Sequence, residues 1–284
     1  MCNKSNNPTL IETVCHALES VHTKKPLVDC ITNFVTVNDC ANIILAAGGS
    51  PSMAEDIREV AESAAGADAL VCNLGAINRV DSMIIGGKSA ATANKPVILD
   101  PVAAGNTALR RRESAMLLEN VHFSVIRGNA SEIKALALST ASGSGVDVSA
   151  ADSINEDSLP AAINTAKLLS TKTAAVIAVS GPIDIITDGT QTVLLRNGCA
   201  IMSRITGSGC MLTSLIGTFC GAMPNSIFEA VFSACAVMDI AGELAEERRI
   251  KNGTGNASFR TDLIDAVFNM DPDALTAHLN IELL

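Results

Sequence analysis

Ile205-Thr206-Gly207-Ser208-Gly209-Cys210 runs without a break into Met211-Leu212-Thr213-Ser214-Leu215-Ile216. A hydroxyl and two glycines ahead of an apolar pattern describe a helix start, where the first N–H groups lack intrahelical acceptors and the dipole is positive. Such a start binds anions, phosphate above all, and here a thiol, Cys210, stands beside it. Taken alone, the run reads at least as well as a glycine-containing cap followed by a buried cysteine packed as a small hydrophobe. The rest of the chain decides between these.

Short apolar runs with the character of buried strands recur at 26–32, 69–73, 96–100, 123–127, 174–180 and 192–196. Helical patterns separate most of them: 38–47, 54–65, 79–94, 131–137, 159–169, 209–221 and 226–247. Strand-helix alternation predicts an α/β fold, a mostly parallel central sheet with helices on both faces. Thr187-Asp188-Gly189-Thr190 between the runs 183–186 and 192–196 is a hairpin signal and predicts an antiparallel edge. The segment 140–159 is rich in Ser, Gly, Asp and Ala and reads either as a lid over a site or as an ordinary surface insertion.

With 284 residues, 48% hydrophobic and 18% charged, the chain has the composition of one large, well-covered domain. A net charge of −10 without Trp or Tyr excludes the basic, stacking surface that nucleic-acid binding uses. The nine cysteines form no C-x-x-C pair, and the four histidines lack metal-ligand spacing, so reduced cysteines in a cytoplasmic protein are expected and structural zinc is not. No stretch approaches the ~20 apolar residues of a membrane span, and the first residues do not read as a signal peptide.

Ligands of parallel α/β sheets gather beyond the carboxyl ends of the strands. Asn33, Asn73, Gly75, Asp100, Arg127, Asn129, Ser180 and Gly181 all fall there. Each alone reads as a turn or cap residue; their shared position argues for one composite site. Neither G-x-x-x-x-G-K-[ST] nor a strand-linked G-x-G-x-x-G is present, so a different nucleotide fold is required. Asp100-Pro101-Val102 and Asn129-Ala130-Ser131-Glu132 supply two separated carboxylates. Near triphosphate oxygens these suit Mg²⁺, a hard ion that keeps several waters; otherwise Asp100 is a turn acid and Glu132 a capping residue.

Ile31-Thr32-Asn33-Phe34-Val35-Thr36, Gly49-Ser50-Pro51-Ser52-Met53-Ala54, Asp100-Pro101-Val102-Ala103-Ala104-Gly105, Arg127-Gly128-Asn129-Ala130-Ser131-Glu132-Ile133 and Thr206-Gly207-Ser208-Gly209-Cys210 resemble, in order and spacing, segments of hydroxyethylthiazole kinase. The resemblance spans about residues 25–247. It implies a single ribokinase-like domain over 1–284, with 1–24 a peripheral segment. It also implies ATP- and Mg²⁺-dependent phosphorylation of the primary alcohol of 4-methyl-5-(2-hydroxyethyl)thiazole in thiamine salvage.

On the same resemblance Met53, Asn33, Val35 and Gly207 lie on the substrate side and Arg127 and Ser180 contact ATP. Asp100 and Glu132 lie near the metal, and Cys210 stands where most ribokinase-like enzymes carry a catalytic Asp. A cytoplasmic homotrimer with sites between subunits is implied as well. Phe34 stands where the family commonly has Tyr, Ala103 where it has Gly, and Ser180 where many members have Thr. The competing readings are a catalytically silent thiazole- or nucleotide-binding sensor and a ribokinase-like kinase for another small alcohol.

Overall fold

The computed structural model describes residues 8–139 and 154–284. Its first half contains α1 (Pro8–Lys24), β1 (Leu27–Ile31), α2 (Val37–Ala47), β2 (Ser50–Ser52), α3 (Val60–Gly66), β3 (Ala69–Asn73), α4 (Val80–Thr92), β4 (Val97–Asp100), α5 (Ala108–Asn120), β5 (Val125–Asn129) and α6 (Ala130–Ser139). The second half contains α7 (Leu159–Thr173), β6 (Val176–Ser180), β7 (Asp184–Thr187), β8 (Thr192–Leu195), α8 (Ser208–Ala222), α9 (Ile227–Asn252), α10 (Asn256–Phe268), α11 (Pro272–His278) and β9 (Ile281–Leu283). Short 3₁₀ turns at Ile77–Arg79 and Ala200–Arg204 precede α4 and α8.

These strands form one nine-stranded sheet in the order β2-β1-β3-β4-β5-β6-β7-β8-β9. Pairings from β2 across to β6 are parallel, and those from β6 to β9 are antiparallel. The expected mostly parallel sheet with an antiparallel edge is therefore present. Alternate strand residues feed two apolar layers. Val28, Val71 and Ile98 pack under α1, α2 and α8–α10, whereas Leu70, Leu99 and Ile177 pack under α3–α7.

Three expectations are corrected. The N-terminal stretch, expected to be peripheral, is helix α1, whose Leu10, Val14, Ala17, Leu18 and Val21 are buried in the core. A helix was expected over 54–65, yet α3 begins only at Val60. Two carboxylates hold the preceding backbone out of helical geometry: buried Asp29 accepts from Ala54 N at 3.0 Å, and Asp56 accepts from Arg58 N at 2.9 Å. Local side-chain acceptors of this kind compete with the helical ladder. Finally, α5, α10, α11, β2 and β9 lie where no element was expected. Of the segment 140–159, residues 140–153 lie outside the described residues, and 154–158 lead into α7 through reciprocal Asn155 and Ser158 hydrogen bonds.

Candidate active site

Parallel register alone puts the polar residues in a row. Met53 follows β2, Asn33 follows β1, and Asn73, Asp100, Asn129 and Ser180 close β3, β4, β5 and β6. Asn73 pairs with Asp100 across β3 and β4, and Asn129 with Ser180 across β5 and β6. Helix α8 ends over this row with its N-terminus.

That terminus is shaped by two glycines. Gly207 takes a left-handed φ of +86, where a Cβ would in addition sit 2.7 Å from Thr36 Cγ2. At Gly209 a Cβ would meet Arg127 Nη1 at 2.5 Å, so the guanidinium lies directly against the first turn. Arg127 is buried and donates through Nη2 to Ser180 Oγ at 2.5 Å, leaving its Nε without a protein partner. Free helix N–H groups and a guanidinium therefore converge from two directions, a cradle for phosphate oxygens.

Next to this cradle a chain of hydrogen bonds reaches the sheet. Asn73 Nδ2 donates to Cys210 Sγ at 3.2 Å and to Asp100 Oδ2 at 2.9 Å. Asn33 Nδ2 approaches the same sulfur at 3.5 Å and Asn73 Oδ1 at 3.3 Å. Thr213 Oγ1, one turn into α8, donates to Asp100 Oδ2 at 2.9 Å. Asp100 is buried, and desolvation pushes its carboxyl up to about 6. Arg127 and the Thr213 hydroxyl oppose that rise, and Glu132 adds to it. Burial also raises the Cys210 thiol, with Asp100 reinforcing the effect, so the sulfur keeps its proton at neutral pH.

Glu132 accepts from two backbone donors, Ala103 N at 2.8 Å and Asn129 N at 2.9 Å. Ala103, where a glycine was the family's expected residue, adopts φ +56 and turns its N–H to that carboxylate. From the outer layer, Arg110 Nη1 donates to Leu74 O at 3.0 Å and Val102 O at 2.8 Å, bracing the loops after β3 and β4. On the other side, Val35 N donates to Asn33 Oδ1 at 3.1 Å, while the Phe34 ring is 91% exposed. Met53 is half-buried and packs against the core that α2 and α8 share.

Behind Arg127 and Ser180 a cavity of about 540 Å³ opens between Pro182, Met202, Leu212 and Met238. Among the described residues no cluster of three or more His, Cys, Asp or Glu forms a metal cage, which leaves Asp100 and Glu132 as separate carboxylates.

The family model described as the hydroxyethylthiazole kinase family matches residues 18–273. This chain belongs to that family. It is 48% identical over 260 residues to the hydroxyethylthiazole kinase of Clostridium acetobutylicum, covering 91% of this chain and 95% of that protein. Among solved structures, the hydroxyethylthiazole kinase protein of Pyrococcus horikoshii superposes with a TM-score of 0.83 at 30% identity, covering 96% of this chain and 99% of that one. A pyridoxal kinase of Staphylococcus aureus shares the fold at a TM-score of 0.62 and 15% identity, covering 92% and 98% of the two chains. The fold is ribokinase-like, as the resemblance implied.

Of the site residues expected for a hydroxyethylthiazole kinase, the fold joins Asn33, Asp100 and Cys210 in one network and Arg127 with Ser180 in another, with Gly207 and Glu132 at their margins. Val35 N reaches the first network through Asn33 Oδ1 at 3.1 Å, and Met53 stands on the neighbouring edge, packed against the core. Asn73, noted in the sequence only as a polar strand end, is the link between thiol and carboxylate.

Proposed function

We propose that this chain is a hydroxyethylthiazole kinase, transferring the γ-phosphoryl group of ATP to the primary alcohol of 4-methyl-5-(2-hydroxyethyl)thiazole for thiamine salvage. One observation carries the reading: the α8 N-terminus and Arg127 form an anion cradle that adjoins the Cys210–Asn73–Asp100 chain. A phosphate donor and a hydroxyl acceptor thereby meet along one sheet edge.

Phosphoryl transfer needs alignment and charge neutralisation more than covalent help. The N–H groups of Ser208, Gly209 and Cys210 and the Arg127 guanidinium take the charge that develops on the transferring group. Arg127 is fixed by Ser180, so little reorganisation is needed. Cys210, with its thiol protonated, orients the acceptor hydroxyl rather than deprotonating it, and Asn33 and Asn73 set the direction of the sulfur. Met53, Val35 and Gly207 line the thiazole side.

Asp100 and Glu132 fit Mg²⁺: both offer hard oxygens, and burial leaves Asp100 short of positive charge. Bound through its waters, the ion would supply charge neutralisation at the phosphates. Exposed Phe34, Val35 and Ile57 near the thiazole side support a homotrimer with sites between subunits. Eight free cysteines among the described residues support a cytoplasmic location; no described helix is long and apolar enough to cross a membrane.

The test is Mg²⁺-dependent ADP release with hydroxyethylthiazole, against a hydroxymethylpyrimidine, a sugar and no acceptor. Thiazole-selective release with the phosphorylated product confirmed by mass is expected. Release with another acceptor overturns the substrate, and thiazole binding without release overturns the activity. Cys210→Ala turning over at the wild-type rate with its fold intact would remove the sulfur from the mechanism.

A further inference from the structure

The cavity behind Arg127 carries two carboxyls that phosphoryl transfer does not use, Asp184 on β7 and Asp239 on α9. Asp184 is buried and accepts from Gly181 N at 2.8 Å. Asp239 is only 6% exposed, yet its Oδ2 has no hydrogen-bond partner. Neighbouring Glu243 is not in that position: Asn197 Nδ2 and Gly198 N donate to it at 3.0 and 2.9 Å, and His278 faces it at 3.5 Å. Gly198, at φ +98, passes over Asp239 at ordinary contact distance: a Cβ there would lie 3.5 Å from Oδ1.

An unpaired buried acceptor is costly, and a ligand that completes it removes that cost. Arg127 Nε, also without a protein partner, borders the same cavity. The cavity thus has one unfilled donor that suits phosphate and one unfilled carboxyl, joined by an apolar lining, and its ~540 Å³ is of the size that ligand sites occupy. Desolvation raises the Asp239 carboxyl well above its usual range, Asp184 and Glu243 add to the rise, and Arg127 opposes it. A neutral carboxyl offers one donor and one acceptor side by side, whereas a carboxylate offers acceptors only. Adenine presents a complement, an exocyclic amine beside a ring nitrogen.

We propose that Asp239, backed by Asp184, is the base-reading residue of the nucleotide subsite, accepting from the amine of adenine and donating to the adjoining ring nitrogen. This rests on the cavity being where ATP binds.

The test compares the affinity of ADP with that of purine riboside 5′-diphosphate, which lacks the amine. It uses the full chain, Asp239→Leu, Asp239→Asn and Arg127→Met, with each fold checked by thermal melting. The wild type is expected to prefer ADP about tenfold, the worth of one good hydrogen bond. Asp239→Asn keeps a donor and an acceptor and retains a preference; Asp239→Leu loses it. An undiminished preference in Asp239→Leu, or none in the wild type, overturns the base-reading role while Arg127→Met still weakens both ligands. If Arg127→Met weakens neither, the cavity is not the nucleotide site and both readings fall.

Discussion

Gly209→Ala separates the two parts of the anion cradle. The new Cβ would stand 2.5 Å from Arg127 Nη1 and 3.3 Å from Cζ and Nη2. The guanidinium is the end of a flexible side chain, so it moves while the helix stays. Moving it gives up the charge-assisted bond to Ser180 Oγ, worth about 1.5–3 kcal/mol. Alanine in place of glycine returns at most about 1 kcal/mol of helix propensity in this first turn. Stability should therefore fall by about 0.5–2 kcal/mol in a denaturant titration. Nucleotide binding should not be spared. Losing a charge-assisted contact costs about 1.5–3 kcal/mol, or roughly 10- to 150-fold in affinity. Titration with ADP, alongside KM for ATP in the ADP-release assay, measures that loss. A folded Gly209→Ala protein that binds ADP like the wild type would refute the placement of Arg127 on the phosphates.

Thr213→Val removes the hydroxyl that helps hold Asp100 ionised, so in the metal- and ligand-free protein the Asp100 carboxyl should titrate above its value of about 6; an NMR titration with an unmoved midpoint refutes the role of this bond. Burial pushes Asp100 up to about 6 from 3.8 and raises the facing pair Asp184 and Asp239 as well. Raised acids stabilise the native state fully below their ordinary values and lose that contribution as pH rises through the folded ones, on the order of 3 kcal/mol for the Asp100 shift of about two units. The Tm of the ligand-free protein should thus fall from pH 5 to pH 7.5, and a rise over that range contradicts the assignment. Asp29→Ala strands Ala54 N and releases Ser63 Oγ, bonded at 3.0 and 2.8 Å. It should cost about 1–3 kcal/mol by denaturant titration and raise KM for the thiazole by loosening the Met53 segment.

Much of this fold is legible in the sequence because buried strands are continuous apolar runs, and β1 and β3–β8 each left one. The missing elements lack that signal for different reasons. Strand β2 is three residues centred on Pro51, tolerable only at an edge. In α5 three consecutive arginines surround a face on which Leu117 is the only buried apolar residue. Helix α1 does have period, Leu10, Val14, Ala17 and Val21, hidden among mixed charges. At the site, each residue type was visible but not its partner. Asn73 became a bridge only when the β3 and β4 register set it beside Asp100. Asp239 had a signal of its own, a single carboxyl within the otherwise apolar stretch Ala234–Ala241.

Cys210 meets Asn33 across 177 positions and Asn73 across 137. During synthesis, therefore, the strand ends that carry Asn33, Asn73 and Asp100 emerge long before the helix that completes them. Such distant pairings are slow to close because loop entropy is lost before contacts repay it. The nascent chain can assemble much of its sheet and still have no grip on a nucleotide. Competence arrives late and all at once, when α8 docks with Gly217 pressed against Val71 and its N-terminus settles over the waiting carboxylate. Ligand binding thereby reports that the chain has been made and packed at least as far as α8.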